Sequence, residues 1–200
     1  MGLSIFLLAG RSEHQRRQTV AWINQGLKDR HFPLHEEPQA SLFKNIYLPE
    51  IEWRYSTSEC IEFLAAKFIE DPSWILPTKR EDYSVISTTS HCKIFQSRRS
   101  HIVCLPKNFG CYVPVDLELP LLYQYPELGS SVIFRDELNE LAIKLNFNLG
   151  THTPHFEALR IEREQELAAD PFRQEKWILL CLYNLATASI NYGSAMVFAG

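Results

Sequence analysis

Leu3-Ser4-Ile5-Phe6-Leu7-Leu8-Ala9-Gly10-Arg11-Ser12 is the stretch that decides the fold class. Its first seven residues are almost wholly apolar, as expected of a strand buried on both faces. Gly10-Arg11 makes a turn, and Ser12 with Gln15 three residues on is the capping-box pattern that opens a helix. Val20, Ile23 and Leu27 then fall on one helical face, so the helix runs to about Arg30. A buried strand that turns at once into an amphipathic helix belongs to a mixed α/β chain. The same opening is a poor secretory signal, because a basic start is missing and the apolar run is short. Gly2 lacks the Ser or Thr at position six that N-myristoylation requires, since Phe6 stands there.

Outward from this stretch the order continues β-α. Residues 31–45 carry Pro33 and Pro38 and read as loop. Ile46 to Trp53 reads as a strand, and Pro49 puts it at an edge or a bulge. Ser56 with Glu59 is a second capping pattern before the apolar stripe Ile61, Leu64, Ala65 and Phe68, which predicts a helix over 58–70. Asp71-Pro72 ends it. The loop that follows sets Trp74-Ile75-Leu76 between prolines, and the expectation is that all three are exposed.

From Tyr83 to Leu122 the texture changes to short apolar runs: Val85-Ile86, Ile94-Phe95, Ile102 to Leu105 and Cys111 to Val115. These predict an antiparallel, β-rich middle. The last third is helical. Ser130 or Ser131 caps a helix to about Asn146, and Thr153-Pro154 opens one through Ala168. Asp170-Pro171 opens a final helix that Gly193 ends in the left-handed conformation. Ala195 to Ala199 returns as a short strand. The final helix is apolar nearly all round and has to be surrounded. The expected fold class is therefore α+β, with a β-α-β-α start, an antiparallel β-rich middle and three C-terminal helices packed on the sheet. One domain over 1–200 is expected. The only candidate subdivision lies near 129, between a sheet-containing part (1–128) and a helical part (129–200).

The chain of 200 residues carries 20 Lys+Arg against 24 Asp+Glu, a formal net charge of −4. That excludes a nucleic-acid binder working by polybasic charge. The charge is uneven: residues 1–100 have 13 cations and 12 carboxylates, residues 101–200 have 7 and 12. Five cysteines without a close pair argue against a disulfide framework and for a reducing, cytoplasmic home. The longest apolar stretch, Trp177 to Tyr192, is too short to span a membrane and contains Asn184 and Asn191. The motifs of P-loop, Rossmann, zincin and nucleophile-elbow proteins are absent, so the expectation leans away from an enzyme and names no cofactor.

Three function classes follow. The leading one is a non-catalytic binding protein, inhibitor- or immunity-like, that uses Trp74, Ile75 and Leu76 and its acidic half to hold a protein partner; nucleic acid and membrane are not expected partners. The second is a hydrolase or transferase with a scattered site in the middle, drawing on Cys92, Cys104 or Cys111 with His91 or His101, since a thiol nucleophile needs a neighbouring base. The third is a small-anion or nucleotide site at the first strand–helix turn, where Arg11, Ser12 and free helix N–H groups favour negative charge. His152 and His155 lack a spaced Cys or carboxylate partner in sequence; His31 and His35, followed by Glu36 and Glu37, would share a helical face, but Pro33 lies between them, and no metal site is assigned.

Overall fold

The computed structural model describes residues 2–43, 48, 50–76, 100–106, 109–121, 126–150 and 163–200, with the backbone alone at 53–58. The predicted strands at Val85-Ile86 and Ile94-Phe95, with His91, Cys92, His152 and His155, lie outside the described residues.

The opening stretch folds as its pattern dictates. Strand β1 (Gly2–Leu7) runs into a 3-10 turn at Leu8–Gly10 and then helix α1 (Glu13–Lys28). Ser12 Oγ accepts the Gln15 N–H while the Gln15 side chain accepts the Ser12 N–H, so the expected capping box is formed. Strand β2 (Glu50–Arg54) and helix α2 (Tyr55–Glu70) follow. Helix α2 begins one residue ahead of Ser56, so that serine lies in the first turn and the predicted cap is corrected. Strands β3 (Phe109–Val113) and β4 (Glu127–Ser130) lead into helix α3 (Ser131–Lys144). Ser130, of the two candidate serines, caps α3 through the Ile133 N–H at 3.2 Å. Residues 163–167 are helical. Helix α4 (Arg173–Tyr192) begins three residues after Asp170. The Asp170-Pro171 pair instead forms the preceding turn, in which the aspartate accepts the Phe172 N–H at 2.7 Å. Gly193, at φ 66°, ends α4, and strand β5 (Met196–Ala199) follows.

The five strands form one mixed sheet in the order β2-β1-β5-β3-β4. β1 pairs antiparallel with β2 and β5, β5 pairs antiparallel with β3, and β3 pairs parallel with β4. The last strand therefore occupies the centre. The expected antiparallel middle is corrected on two counts. Ile102 to Leu105 is a buried turn, not a strand, because a short apolar run is compatible with any buried conformation. β3 finds its partners outside the middle's predicted strands, in β5 and in β4, a strand that the prolines and glycine around it hid. The α+β class itself stands.

Alternation across the pleat sends side chains to two cores. Leu3, Ile5, Leu7, Tyr112, Met196 and Phe198 face α2, α3 and α4. Leu8, Cys111, Val113, Leu128 and Val197 face Ile23 and Leu27 of α1. Helix α4 is buried along most of its length against α2, α3 and the sheet, as its apolar surface requires. Gly129 of β4 is needed for close approach: a Cβ there would stand 2.4 Å from the Tyr112 ring. No helix among the described residues is long and apolar enough to cross a membrane.

Candidate functional site

The turn after β1 places Arg11 half-buried with its guanidinium on the Glu50 carboxylate and over the Phe6 ring, 3.7 Å from the centroid. Its charge is engaged by the neighbouring strand. Ser12 Oγ is engaged by the helix cap. In the loop after α2, Trp74 packs edge-on against Phe68 at 4.9 Å and Leu76 is half-buried, which leaves Ile75 as the exposed residue of the three, at 83%. The prediction of a fully exposed apolar loop is corrected accordingly: Phe68 offers Trp74 an apolar wall.

Cys104 and Cys111 are both buried. Burial pushes the Cys111 thiol far above its ordinary range, helped by the Glu37 charge, so it is held protonated. His101 is fully buried; its ring stands edge-on to Tyr112 at 5.9 Å, and the Tyr112 hydroxyl donates to the His101 carbonyl at 2.5 Å. Among the described residues no group of three His, Cys, Asp or Glu side chains could hold a metal ion.

Two polar constellations escaped sequence reasoning. The first is buried. Glu37, on the loop after α1, accepts the Ser194 hydroxyl at Oε1 (2.5 Å) and the Ala195 N–H at Oε2 (2.9 Å), and His35 Nε2 lies 2.7 Å from the same Oε2. Ser194 Oγ also accepts the Ala9 N–H at 3.0 Å, and Asn24 brackets both backbone groups of His35. This network fastens the loop to the entry of β5. The carboxylate, not the imidazole, meets the serine, so the order differs from the serine–base–acid relay of a hydrolase. In sequence His35 and Glu37 stood together only as part of the His31/His35 ligand pattern, which gave no sign of Ser194 or Ala195.

The second constellation is a groove of about 320 Å³ between the C-terminal halves of α2 and α3. Its floor is apolar: Ala65 and Phe68 from α2, Ile102 from the buried turn and Leu141 from α3. Its rim carries Glu137, Glu140 and Lys144 from α3, Ile69 from α2 and Ser100. Glu137 accepts the Ser100 hydroxyl and the N–H groups of His101 and Ile102 at 2.9–3.0 Å. It thereby caps the 100–104 turn and is fixed in place. Lys144 Nζ donates to the Pro72 carbonyl at 3.3 Å and ties α3 to the end of α2. Ile69, which lines the groove, is an exposed apolar side chain, as is Ile143 of α3. Glu70 and Asp71 end α2 on the same side; the Ser73 hydroxyl and N–H hold the Asp71 carboxyl below its ordinary range.

The sheet separates charge. On one face, α1 and its ends carry Arg16, Arg17, Lys28 and Arg30 against Glu13 and Asp29. On the other, residues 59–71 and 131–144 carry seven carboxylates against three cations. Glu59, Glu70, Asp71, Asp136 and Glu140 are solvent-exposed, as are Glu164 and Glu166 of the 163–167 segment. Asp136 and Glu140 are one helical turn apart, about 6 Å along the axis. Asp136 is paired with Arg135 at 2.6 Å and Glu70 with Lys67 at 3.6 Å; the excess of carboxylates on this face, with an apolar groove between its helices, is suited to a basic protein surface.

A family model described as "Putative DNA-mimic protein" matches residues 1–198, and the chain belongs to that family. No curated protein and no solved structure matches it. The family match corrects the expected function. The inhibitor- or immunity-like binder without further definition, the Cys/His hydrolase or transferase, and the anion or nucleotide binder at Arg11 and Ser12 all give way to it. The partner expectation, an unspecified protein, is corrected with them, because the family's description makes likeness to DNA the theme of recognition.

Proposed function

We propose that this protein acts as a DNA mimic: the acidic face formed by α2 and α3 occupies the DNA-binding surface of a basic protein in place of DNA. The observation that carries the reading is the charge separation across the sheet, with the carboxylates of the α2–α3 face on rigid helices and α1 kept to the opposite side. Duplex DNA is recognised first through its closely spaced phosphates, and a protein that neutralises them binds with a steep dependence on salt. Carboxylates at helical spacing, exposed and backed by a packed core, present the same kind of target. The net charge of −4 is modest, so the mimicry is local to one face.

One domain over 1–200 belongs to the same reading, supported by a core that draws on both β1 and β5. So does a cytoplasmic home, supported by Cys111 and Cys181, which are buried as thiols.

The test is competition. The immobilised protein retains basic proteins from a cell extract, and these are eluted with duplex DNA. Their binding to a fluorescent duplex is then measured by anisotropy with the soluble protein added. Mimicry predicts that DNA elutes them, and that the protein displaces the duplex with a strong salt dependence. A triple variant, Glu70→Gln, Asp71→Asn and Glu140→Gln, should displace poorly. Retained proteins that bind duplex DNA and this protein at the same time would refute the reading.

A further inference from the structure

We infer that the groove between α2 and α3 receives an arginine side chain of the DNA-binding partner, an inference that rests on the DNA-mimic reading and deepens it. The groove has the two parts such a side chain needs. Its floor of Ala65, Phe68, Ile102 and Leu141 is apolar and suits the aliphatic stem. Its rim supplies two carboxylates one turn apart, Glu137 and Glu140, for the guanidinium. A carboxylate offers about four acceptor positions. Glu137 commits three of them to Ser100, His101 and Ile102, which fixes its orientation; the buried His101 Nδ1 stands 3.6 Å from Oε1, beyond hydrogen-bond distance, so one position is left for a directed contact. Glu140 is exposed and makes no ion pair among the described residues. The resident cation at the rim, Lys144, is turned to the Pro72 carbonyl.

Arginine suits this site better than lysine. Its guanidinium is planar, presents several N–H groups to two acceptors and is more weakly hydrated than an ammonium, so it enters a half-enclosed apolar groove at a smaller desolvation cost. Exposed Ile69 at the rim adds apolar contact that phosphates do not provide. The groove thus gives the mimic a grip that salt does not weaken fully, alongside the screened attraction of its carboxylates.

The experiment is a titration of the ¹⁵N-labelled protein with a nona-arginine peptide and, separately, a nona-lysine peptide, followed by NMR. The amides of His101 and Ile102 donate to Glu137 and report directly on the groove. Saturable shifts at these amides are expected, with tighter binding of the arginine peptide. Glu140→Gln should weaken that binding about fivefold, the size of one partly exposed ion pair near 1 kcal/mol. Ile69→Arg places a competing guanidinium at the groove and should weaken it further. Leu42→Arg adds the same charge at an exposed residue of the 3-10 turn Ala40–Phe43, which does not line the groove, and should change it less than about twofold, as screening over distance predicts. Peptide binding that leaves His101 and Ile102 unmoved, or that Ile69→Arg and Leu42→Arg weaken equally, overturns the arginine site while the mimic reading stands. Absence of binding by either peptide overturns both.

Discussion

The carboxylate of Glu137 accepts the backbone N–H of Ile102 at 2.9 Å, across 35 residues of sequence. The same side chain takes the His101 N–H and the Ser100 hydroxyl, so one residue of α3 completes a turn whose backbone has no strand partner. Hydrogen bonds to a charged group contribute more than neutral ones, and a buried donor left without an acceptor costs about 1–3 kcal/mol. Glu137→Ala should destabilise the protein by about 2–4 kcal/mol in urea unfolding, and Glu137→Gln by about half that, because the amide keeps one acceptor oxygen.

Glu37 plays a corresponding part on the other side of the sheet. Its carboxylate satisfies Ser194, Ala195 and His35 with both it and His35 almost fully buried. Removing one partner of such a buried set strands the others. Glu37→Ala should cost about 3–5 kcal/mol and loosen the 31–39 loop, seen as faster amide exchange at His35 and Ala195. An unchanged urea midpoint would refute this account of the network.

Two glycines separate steric from conformational cost. Gly129→Ala drives a Cβ to 2.4 Å from the Tyr112 ring, which is itself wedged between Phe134 and Phe198. The ring cannot withdraw, and a loss of about 1–3 kcal/mol is expected from overpacking. At Gly193 nothing lies within 4 Å of an added Cβ, but φ is +66°. Gly193→Ala should therefore cost only about 1–2 kcal/mol, the price of the left-handed conformation. Gly193→Asn should recover part of it. Thermal melts of the three variants check the distinction.

Glu127 titrates upward from its ordinary range because half of it is buried at the start of β4. A carboxyl raised in the folded state binds its proton more tightly there than when unfolded. Its stabilising contribution is thus full below the unfolded value of about 4.5 and is lost as pH rises through the higher folded value. Glu127→Gln should raise the midpoint of unfolding at pH 7 relative to wild type and leave it nearly unchanged at pH 4. Asp71 behaves in the opposite sense: its carboxyl is held low, so its small contribution is present at neutral pH and is lost only in strong acid.

Burial makes a prediction for the thiols. Cys111 and Cys181 are both held protonated far above neutral pH by desolvation. Of the four cysteines among the described residues, iodoacetamide on the native protein should modify Cys60 and leave Cys104, Cys111 and Cys181 untouched until the fold opens, as read by peptide mass spectrometry.

The ends of the chain were the most legible in sequence. The capping box at Ser12, the left-handed Gly193 and the strand after it are local signals, and local chemistry decides them. Ile102 to Leu105 misled because a continuous apolar run reports burial, not conformation, and its fate depends on Glu137 of a distant helix. Strand β4 was hidden because Gly129 answers to the Tyr112 ring and not to a turn. The candidate groove was illegible for the same reason: Phe68, Ile102 and Glu140 meet only through packing. Charge asymmetry between the halves was visible, but which face of the sheet it would occupy required the register of three helices.

The central position of β5 has a consequence for biogenesis. β1 and β2 can pair as soon as they are made, yet Leu3, Ile5 and Leu7 wait for a neighbour that arrives nearly two hundred residues later. A nascent chain still short of residue 196 holds the two halves of its sheet apart, with strand edges open on both. Chaperone dependence and aggregation of stalled or truncated products are the vulnerabilities such an order of assembly creates, since long-range pairing is slow and exposed edges are sticky.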